Sequence, residues 1–262
     1  MNIKKIFSAA AAFAVSAAML TGCKGTPDTS NADGNLIDEV ENSAAATESN
    51  IEWLPDVEIH NFNKPEIGEK IAVITVKDYG EIKIKLFPED AEKGVENFTG
   101  LADMGYYDEL IFHRIIPNFM NQGGDPKGNG TGGKSIWGEK FDGGTSEHLY
   151  HFTGAVAYAN SGATSTNGSQ FYIVNTPDGY MDTSCAELHE YDSEQYNWPA
   201  NVAAKYDEVG GVPFLDGGYT VFGQVFEGMD VVRAMAEVET DDNDKPLKQV
   251  MMESVRIEEY QG

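Results

Sequence analysis

The chain has 262 residues, which is enough for one large domain or two small ones around a sizeable core. Hydrophobic residues make up 41% and aromatic residues 11%, a composition that excludes a wholly disordered protein. Asp and Glu number 43 against 18 Lys and Arg, so the net charge of −25 would repel nucleic acid and anionic lipid. The two cysteines are too few for a disulfide scaffold or a structural zinc site.

Residues 1–22 have the layout of a secretory signal peptide. Lys4 and Lys5 precede a short apolar run. The stretch LTGC at 20–23 resembles the lipobox of bacterial lipoproteins, a family in which the cysteine is lipidated and the peptide before it is removed. An ordinary signal peptide with an accidental cysteine is the alternative. We expect lipidation at Cys23, which would anchor the protein to the cell membrane at its extracytoplasmic face.

Residues 23–66 are rich in Ser, Thr, Asn, Ala, Asp and Glu, and they predict a flexible acidic tether. A coil of about 40 residues spans roughly 30–40 Å, which would hold a folded domain away from the lipid headgroups. We expect that domain at 67–262. The second half of the tether has apolar residues that could dock on the domain, namely Trp53, Leu54, Val57, Ile59 and Phe62.

The remainder of the chain shows many short β-rich runs and few helices. Predicted strands cover 71–77, 81–87, 110–120, 155–159, 171–174 and 220–225, and the first two form a hairpin candidate. Predicted helices cover 88–104 and 227–237. Short strands with abundant glycine favour a closed β-barrel or sandwich with helices at its ends.

The segment 128–135 matches the phosphate-binding pattern GxxxxGK[ST]. That chemistry needs a buried strand before the loop and a helix that starts at its lysine. The glycines that surround this loop disfavour such a helix, so we predict no nucleotide site. His148 and His151 form an H-x-x-H pair without a third ligand, so we predict no metal site either.

The segment 112–126, FHRIIPNFMNQGGDP, brings an arginine, a Phe-Met pair and a glutamine together. On a regular strand Arg114 and Gln122 would point to the same side, although Pro117 favours a bulge. A fixed cation beside an apolar pocket suits a substrate with a carbonyl next to an apolar group. A structural strand with a surface arginine is the alternative interpretation of this segment alone.

With three further blocks, this segment is similar to the cyclophilin-type peptidyl-prolyl cis/trans isomerases. The blocks are GNGTGGKSIWGEKF, AYANSGATSTNGSQFYIV and FLDGGYTVFGQVFEGMDVV, and the resemblance covers about residues 69–259. It implies a mainly β fold, an eight-stranded antiparallel β-barrel capped by two α-helices. It also implies an enzyme that needs no cofactor and no metal and that binds proline-containing polypeptides.

The resemblance also assigns site residues. It implies a catalytic set of Arg114, Phe119 and Gln122. The substrate-binding positions that it implies are Met120, Ala159, Asn160, Gln170, Tyr172, Phe214, Leu215 and Tyr219.

Three of these positions depart from the family pattern. Tyr172 adds a hydroxyl, which needs a partner or water, where the family often has Phe. Phe214 replaces a Trp common in eukaryotic members, which argues against tight cyclosporin binding. Tyr219 replaces a His. None of these changes removes Arg114 or the apolar pocket, so we expect activity.

An insertion at 175–213 separates two blocks that a short loop usually joins in the family. A connection of this length is uncommon unless it has a function or is disordered. It could form a small lobe that shapes substrate choice, or it could be a tolerated surface excursion. The expected protein is a monomeric isomerase that assists the folding of secreted or surface proteins. The alternative is a catalytically weak, membrane-tethered chaperone or docking module that binds proline peptides.

Overall fold

Eight strands form one antiparallel sheet in the computed structural model, which describes residues 54–180 and 198–262. They are β1 (Lys70–Val76), β2 (Gly80–Leu86), β3 (Arg114–Ile116), β4 (Met120–Gly123), β5 (Ala155–Tyr158), β6 (Phe171–Val174), β7 (Val221–Glu227) and β8 (Met252–Glu259). Their order across the sheet is β3-β4-β6-β5-β7-β2-β1-β8. This arrangement confirms the mainly β, eight-stranded antiparallel fold that the resemblance implies. The signal peptide, Cys23, Cys185 and most of the predicted tether lie outside the described residues.

The sheet curls until its two outer strands meet. Just outside β3 and β8, Ile111 forms an antiparallel bridge with Met251. The Phe112 N–H donates to the Val250 carbonyl at 2.9 Å, and the Met252 N–H donates to the Leu110 carbonyl at 2.8 Å. These bonds pair backbone groups that an open edge would leave free.

Three helices accompany the sheet, namely α1 (Glu92–Asp103), α2 (Ala200–Val209) and α3 (Met229–Ala236). The apolar side of α1 buries Val95, Phe98 and Leu101 in the main core, and α1 packs against β7 and β8. Helix α3 packs against β2, β3 and β4. The sequence analysis predicted α1 and α3, whereas α2 is a third helix that lies within the insertion.

The predicted strand 110–120 is wrong as a single strand, because a tight turn divides it into β3 and the start of β4. The Phe119 N–H donates to the Ile116 carbonyl at 3.2 Å, and Asn118 has a φ of 60°. A proline followed by a residue with positive φ is typical of a type II turn, and Asn tolerates that conformation. The turn places Arg114 directly opposite Gln122 on paired strands.

Residues 54–62, part of the predicted tether, contact the folded unit. The buried amide of Asn61 donates to the Tyr150 carbonyl at 2.9 Å and to Gln224 Oε1 at 3.0 Å, and its oxygen accepts from the Tyr150 N–H at 3.0 Å. The ring of Phe62 lies 5.2 Å from that of Phe152. This stretch is therefore attached by paired polar groups as well as by apolar contact.

Candidate active site

The hairpin of β3 and β4 positions the predicted catalytic set. Arg114 and Gln122 are cross-strand partners, and Phe119 lies in the turn between the two strands. On its other side β4 pairs with β6, which sets Gln122 opposite Tyr172. Local hairpin geometry and one strand pairing therefore bring these four residues to one place.

The apolar residues that the resemblance assigned to the site form one hydrophobic cluster. Met120, Tyr172 and Leu215 are buried in it, and half-buried side chains pack around them. The rings of Phe119 and Phe214 are stacked with centroids 5.7 Å apart, and Tyr172 meets Tyr219 edge to face at 5.9 Å. The remaining member from the predicted set is Ala159. Half-buried rings over a buried floor provide an apolar surface that a small ring could contact.

A chain of amide hydrogen bonds forms the polar side of the site. Gln122 Nε2 donates to Gln170 Oε1 at 2.9 Å. Gln170 Nε2 in turn donates to the carbonyls of Gly130 and Gly132, at 3.0 and 2.8 Å. The glycine-rich loop thus fixes the orientation of the Gln170 amide, and Gln170 in turn fixes that of the Gln122 amide.

That glycine-rich loop is organised around the protein's own anion. The buried Asp125 carboxylate accepts backbone N–H groups from Lys127, Asn129 and Gly130 at 2.8, 3.1 and 2.7 Å. Burial alone would raise the pKa of Asp125, but these and the Gly132 N–H hold it below its usual value. These N–H groups of the loop are therefore occupied by the Asp125 carboxylate.

Asp244 orients the guanidinium of Arg114, a role that the sequence analysis missed. Arg114 Nε donates to Asp244 Oδ2 at 3.2 Å. The Asp244 carbonyl also accepts the Ile115 N–H at 2.8 Å, so the same residue fixes β3. Asp244 is 130 positions from Arg114 in the chain, and nothing in the local sequence signals the pairing.

Asn160 leaves its backbone available beside the cluster. Its side chain donates to the Gly218 carbonyl and accepts the Gly162 N–H, both at 2.9 Å. The Ala159 N–H donates to the Gln170 carbonyl at 3.0 Å. Within 54–180 and 198–262, the backbone N–H and carbonyl of Asn160 have no hydrogen-bond partner. An extended peptide could pair with them.

The extra hydroxyl of Tyr172 has a buried partner. It lies 2.9 Å from His151 Nε2, and His151 Nδ1 lies 2.7 Å from Asp216 Oδ1. Burial, with smaller contributions from Tyr219 and Asp216, raises the pKa of Tyr172 well above its usual value, so the hydroxyl keeps its proton. Neither His151 nor Asp216 was assigned to the site from the sequence, and His151 was considered there only as part of an H-x-x-H pair.

The positive charge of Arg114 acts to lower the pKa of both Tyr219 and His113. Burial raises the pKa of Tyr219, and the positive charge of Arg114 opposes that rise. His113 is buried, and neither ring nitrogen has a hydrogen-bond partner among the described residues. Burial lowers its pKa; the charge of Asp125 opposes this effect, and that of Arg114 adds to it.

The predicted site residues thus include one apolar cluster and a hydrogen-bonded pair of glutamines, one of which pairs with Arg114 across the hairpin. No group of three or more His, Cys, Asp or Glu suited to a metal ion occurs in the part of the chain that the structure describes. The helices of that part include none with the length and apolar character needed to cross a bilayer.

Comparison with known families gives one match that covers most of the folded part. Residues 71–257 match the family model described as cyclophilin type peptidyl-prolyl cis-trans isomerase/CLD.

Similar curated proteins come from several bacteria. A protein of Staphylococcus saprophyticus named as a peptidyl-prolyl cis-trans isomerase is 40% identical over 192 residues, covering 73% of this chain and 94% of the relative. One of Staphylococcus aureus is 40% identical over 197 residues, covering 75% and 96%. A bifunctional phosphatase/peptidyl-prolyl cis-trans isomerase, so named, of Streptococcus pyogenes is 43% identical over 205 residues. That match covers 78% of this chain but only 41% of the relative.

Solved structures agree with these relatives. A crystal structure of a cyclophilin type peptidyl-prolyl cis-trans isomerase of Cryptosporidium parvum, obtained in the presence of the dipeptide Ala-Pro, matches with a TM-score of 0.56 and 28% identity. The match covers 72% of this chain and 99% of that one.

Proposed function

Because this chain belongs to the cyclophilin-type peptidyl-prolyl cis-trans isomerases, we propose that the surface around Arg114 is where it accelerates the rotation of X–Pro bonds. The observation that supports this placement most directly is the hairpin. It sets Arg114 opposite Gln122 on paired strands, and Phe119, whose ring stacks on that of Phe214, lies in the turn between them. A cation at the edge of an apolar surface fits a prolyl amide, in which a polar carbonyl adjoins an apolar ring.

The reaction sets modest chemical demands. An X–Pro bond has a rotation barrier of roughly 20 kcal/mol and isomerises unaided in tens to hundreds of seconds. No covalent bond is made or broken, so the enzyme needs no nucleophile and no acid of shifted pKa. The twisted amide loses its resonance, which makes its nitrogen more basic and its carbonyl less polar. Groups that interact better with this twisted state than with either planar state lower the barrier.

The proposed roles follow from the geometry of the site. The proline ring would contact the aromatic and aliphatic cluster. Arg114 would donate from its guanidinium to the pyramidal nitrogen or to the moving carbonyl. Gln122 and the backbone of Asn160 would hold the flanking peptide, so that only one side of the bond rotates. The cluster residues proposed to contact the proline are Phe119, Met120, Tyr172, Phe214 and Leu215.

The proposed setting of this activity is the outer face of the cell membrane. A lipid at Cys23 would anchor the chain, and the acidic segment after it would space the domain from the headgroups. Secreted or surface chains with prolines would be the substrates, and assistance with their folding the result. This proposal is supported by the signal-peptide layout and by the LTGC stretch at 20–23.

A protease-free isomerisation assay on an X–Pro peptide tests the site. In the purified chain, Arg114→Ala should lower kcat/KM by about 10²–10³-fold, as expected when a main transition-state donor is lost. Arg256→Ala is the matched control, since Arg256 lies on β8, which contains no predicted site residue, and its guanidinium pairs with Asp108. Both variants should keep the wild-type circular dichroism spectrum. An Arg114→Ala chain as active as the control would reject the proposed site.

Slow isomerisation by the wild-type chain, with tight peptide binding, would instead favour the chaperone alternative.

Fractionation of cells tests the proposed anchor. The wild-type chain should remain with the membranes and move to the detergent phase, whereas Cys23→Ser should not, because the lipid has no attachment atom. Membrane retention of the Cys23→Ser chain would contradict the lipid anchor while leaving the isomerase site unaffected.

A further inference from the structure

The carboxylate of Asp216 receives four donors from two different parts of the chain. Its Oδ1 accepts the His151 backbone N–H at 2.9 Å and faces His151 Nδ1 at 2.7 Å. Its Oδ2 accepts the Trp198 indole N–H at 3.0 Å and the Tyr206 hydroxyl at 2.7 Å. The side chains of Asp216 and His151 are only 9% and 1% exposed. A carboxylate this buried needs such a full set of donors to offset its lost hydration.

Two of these donors belong to the insertion at 175–213. Trp198 precedes α2, and Tyr206 lies on it, fully buried with its ring 4.3 Å from that of Phe152. After α2 the chain pairs with the segment that contains His151. The Val212 N–H donates to the His151 carbonyl at 2.9 Å, and Phe152 and Gly211 form an antiparallel bridge. Residues 198–212 of the insertion are thus fixed to the backbone of His151 and to its side-chain partner.

The other side of His151 faces the proposed proline pocket. His151 Nδ1 lies 2.7 Å from the Asp216 carboxylate, and its Nε2 lies 2.9 Å from the Tyr172 hydroxyl. The two rings are nearly parallel, with an interplanar angle of 17°. The ring of Tyr172 belongs to the hydrophobic cluster of the site. A continuous hydrogen-bonded path therefore joins α2 to one wall of the pocket.

We propose that Asp216 and His151 are positioning residues for the isomerase, and that the insertion, through Trp198 and Tyr206, fixes the pocket wall formed by Tyr172. The inference rests on the proposed function, because it assumes that the substrate proline contacts Tyr172. An anchored hydroxyl restricts the rotation of the Tyr172 ring, so the pocket keeps the shape that the proline needs. The insertion is, on this view, a support of the active site.

The substitution Tyr206→Phe tests the far end of the path. It removes one hydroxyl and leaves the ring in place. We expect kcat/KM to fall by about threefold to tenfold, mainly through a higher KM, a coupling typical of residues in one network. Tyr150→Phe is the matched control. Tyr150 packs in the same aromatic cluster as Tyr206, which also contains Phe152 and Trp198 and is separate from the cluster of the site. Its hydroxyl donates to the Glu147 carbonyl at 2.8 Å, so activity should stay within about twofold of wild type.

A double-mutant cycle separates positioning from general stability. In a Tyr172→Phe background the path no longer ends in the pocket, so Tyr206→Phe should cause no further loss of kcat/KM. A purely structural role would lower the melting temperature of Tyr206→Phe and leave kcat/KM unchanged, or would give the same loss in both backgrounds. Either result overturns the inference. If Arg114→Ala is inactive in the same assay while the cycle shows no coupling, only this inference fails. A fully active Arg114→Ala chain would reject the proposed site itself.

Discussion

At the scale of single residues, the orientation of Arg114 depends on a carboxylate outside the hairpin. The ion pair of Arg114 with Asp244 uses Nε and lies near the surface, with Asp244 41% exposed. Exposed pairs of this kind contribute little to stability but can fix a side-chain direction. Asp244 has a φ of 61°, a conformation that Gly and Asn also adopt readily.

Two substitutions at Asp244 distinguish the effect of its carboxylate from the effect of its backbone conformation. Asp244→Gly tolerates the positive φ but removes the partner of Nε, so kcat/KM should fall by about twofold to fivefold. Asp244→Asn keeps an oxygen acceptor and should lose less. The isomerisation assay, with melting temperatures as the control for folding, checks both values. Wild-type kcat/KM in Asp244→Gly would show that Asp244 does not orient the arginine.

His113 predicts a pH dependence of stability. Its pKa in the folded protein is lowered from 6.5, chiefly by burial. As the pH drops below about 6.5, His113 binds a proton in the unfolded chain before it does so in the folded chain. The free energy of unfolding therefore falls as the pH drops from about 7 to about 5. In His113→Gln this part of the pH dependence should be missing. Urea unfolding of both chains across that range checks it, and parallel curves would contradict it, since all other histidines are shared.

At the scale of elements, the return from α2 depends on a close approach of two backbones. Gly211 has a φ of 147°, and a Cβ there would lie 2.4 Å from the His151 carbonyl oxygen and 2.9 Å from the Phe152 Cα. Backbone atoms in a paired segment cannot move aside as a flexible side chain can. Only glycine therefore allows the insertion to pair next to His151.

Gly211→Ala should therefore lower the free energy of unfolding by about 2–6 kcal/mol, because backbone strain and a clash add together. Gly138→Ala is the control, since Gly138 also has a positive φ but a Cβ there would meet no atom within 4 Å. It should cost about 1 kcal/mol. Denaturant unfolding measures both. Equal costs would mean that the paired segment is more adaptable than its contacts indicate.

At the scale of the whole molecule, the folded unit includes residues before the first strand. Asn61 exchanges hydrogen bonds with Tyr150, and His60 stacks on His148 with ring centroids 4.4 Å apart. His60 Nδ1 also lies 2.7 Å from Asp90 Oδ2. These contacts connect the segment before β1 to the loop that leads to His151.

A chain that begins at residue 67 should be less stable than one that begins at residue 54. Loss of the Asn61 amide alone leaves buried polar groups unpaired, and we expect the free energy of unfolding to fall by about 2 kcal/mol or more. Asn61→Ala in the longer chain should reproduce part of this loss. Equal melting temperatures for the two chains would show that the segment contributes nothing to the fold.

The features that depend on local pattern could be predicted from the amino-acid sequence. The alternation in 71–77 and 81–87 predicted the β1–β2 hairpin, which the structure confirms. The spacing within 112–126 put Arg114 and Gln122 on the same side of one predicted strand, whereas the structure pairs them across a turn. Four motif blocks in order were enough to indicate the family and its eight-stranded sheet. Each of these signals lies within a short stretch of chain, where residue type and spacing restrict the backbone directly.

The distant groups that complete the site could not be predicted, because they meet through strand pairing and loop closure. Strand β8 was not predicted; it pairs with β1 around a bulge, and its approach to Ile111 closes the sheet. The pairs Arg114–Asp244 and His151–Asp216 join residues 130 and 65 positions apart. In a chain with so many acidic residues, no local pattern distinguishes Asp244 from the rest. Its role is set by strand register and loop closure, which bring its carboxylate within 3.2 Å of Arg114 Nε and leave other carboxylates in solvent.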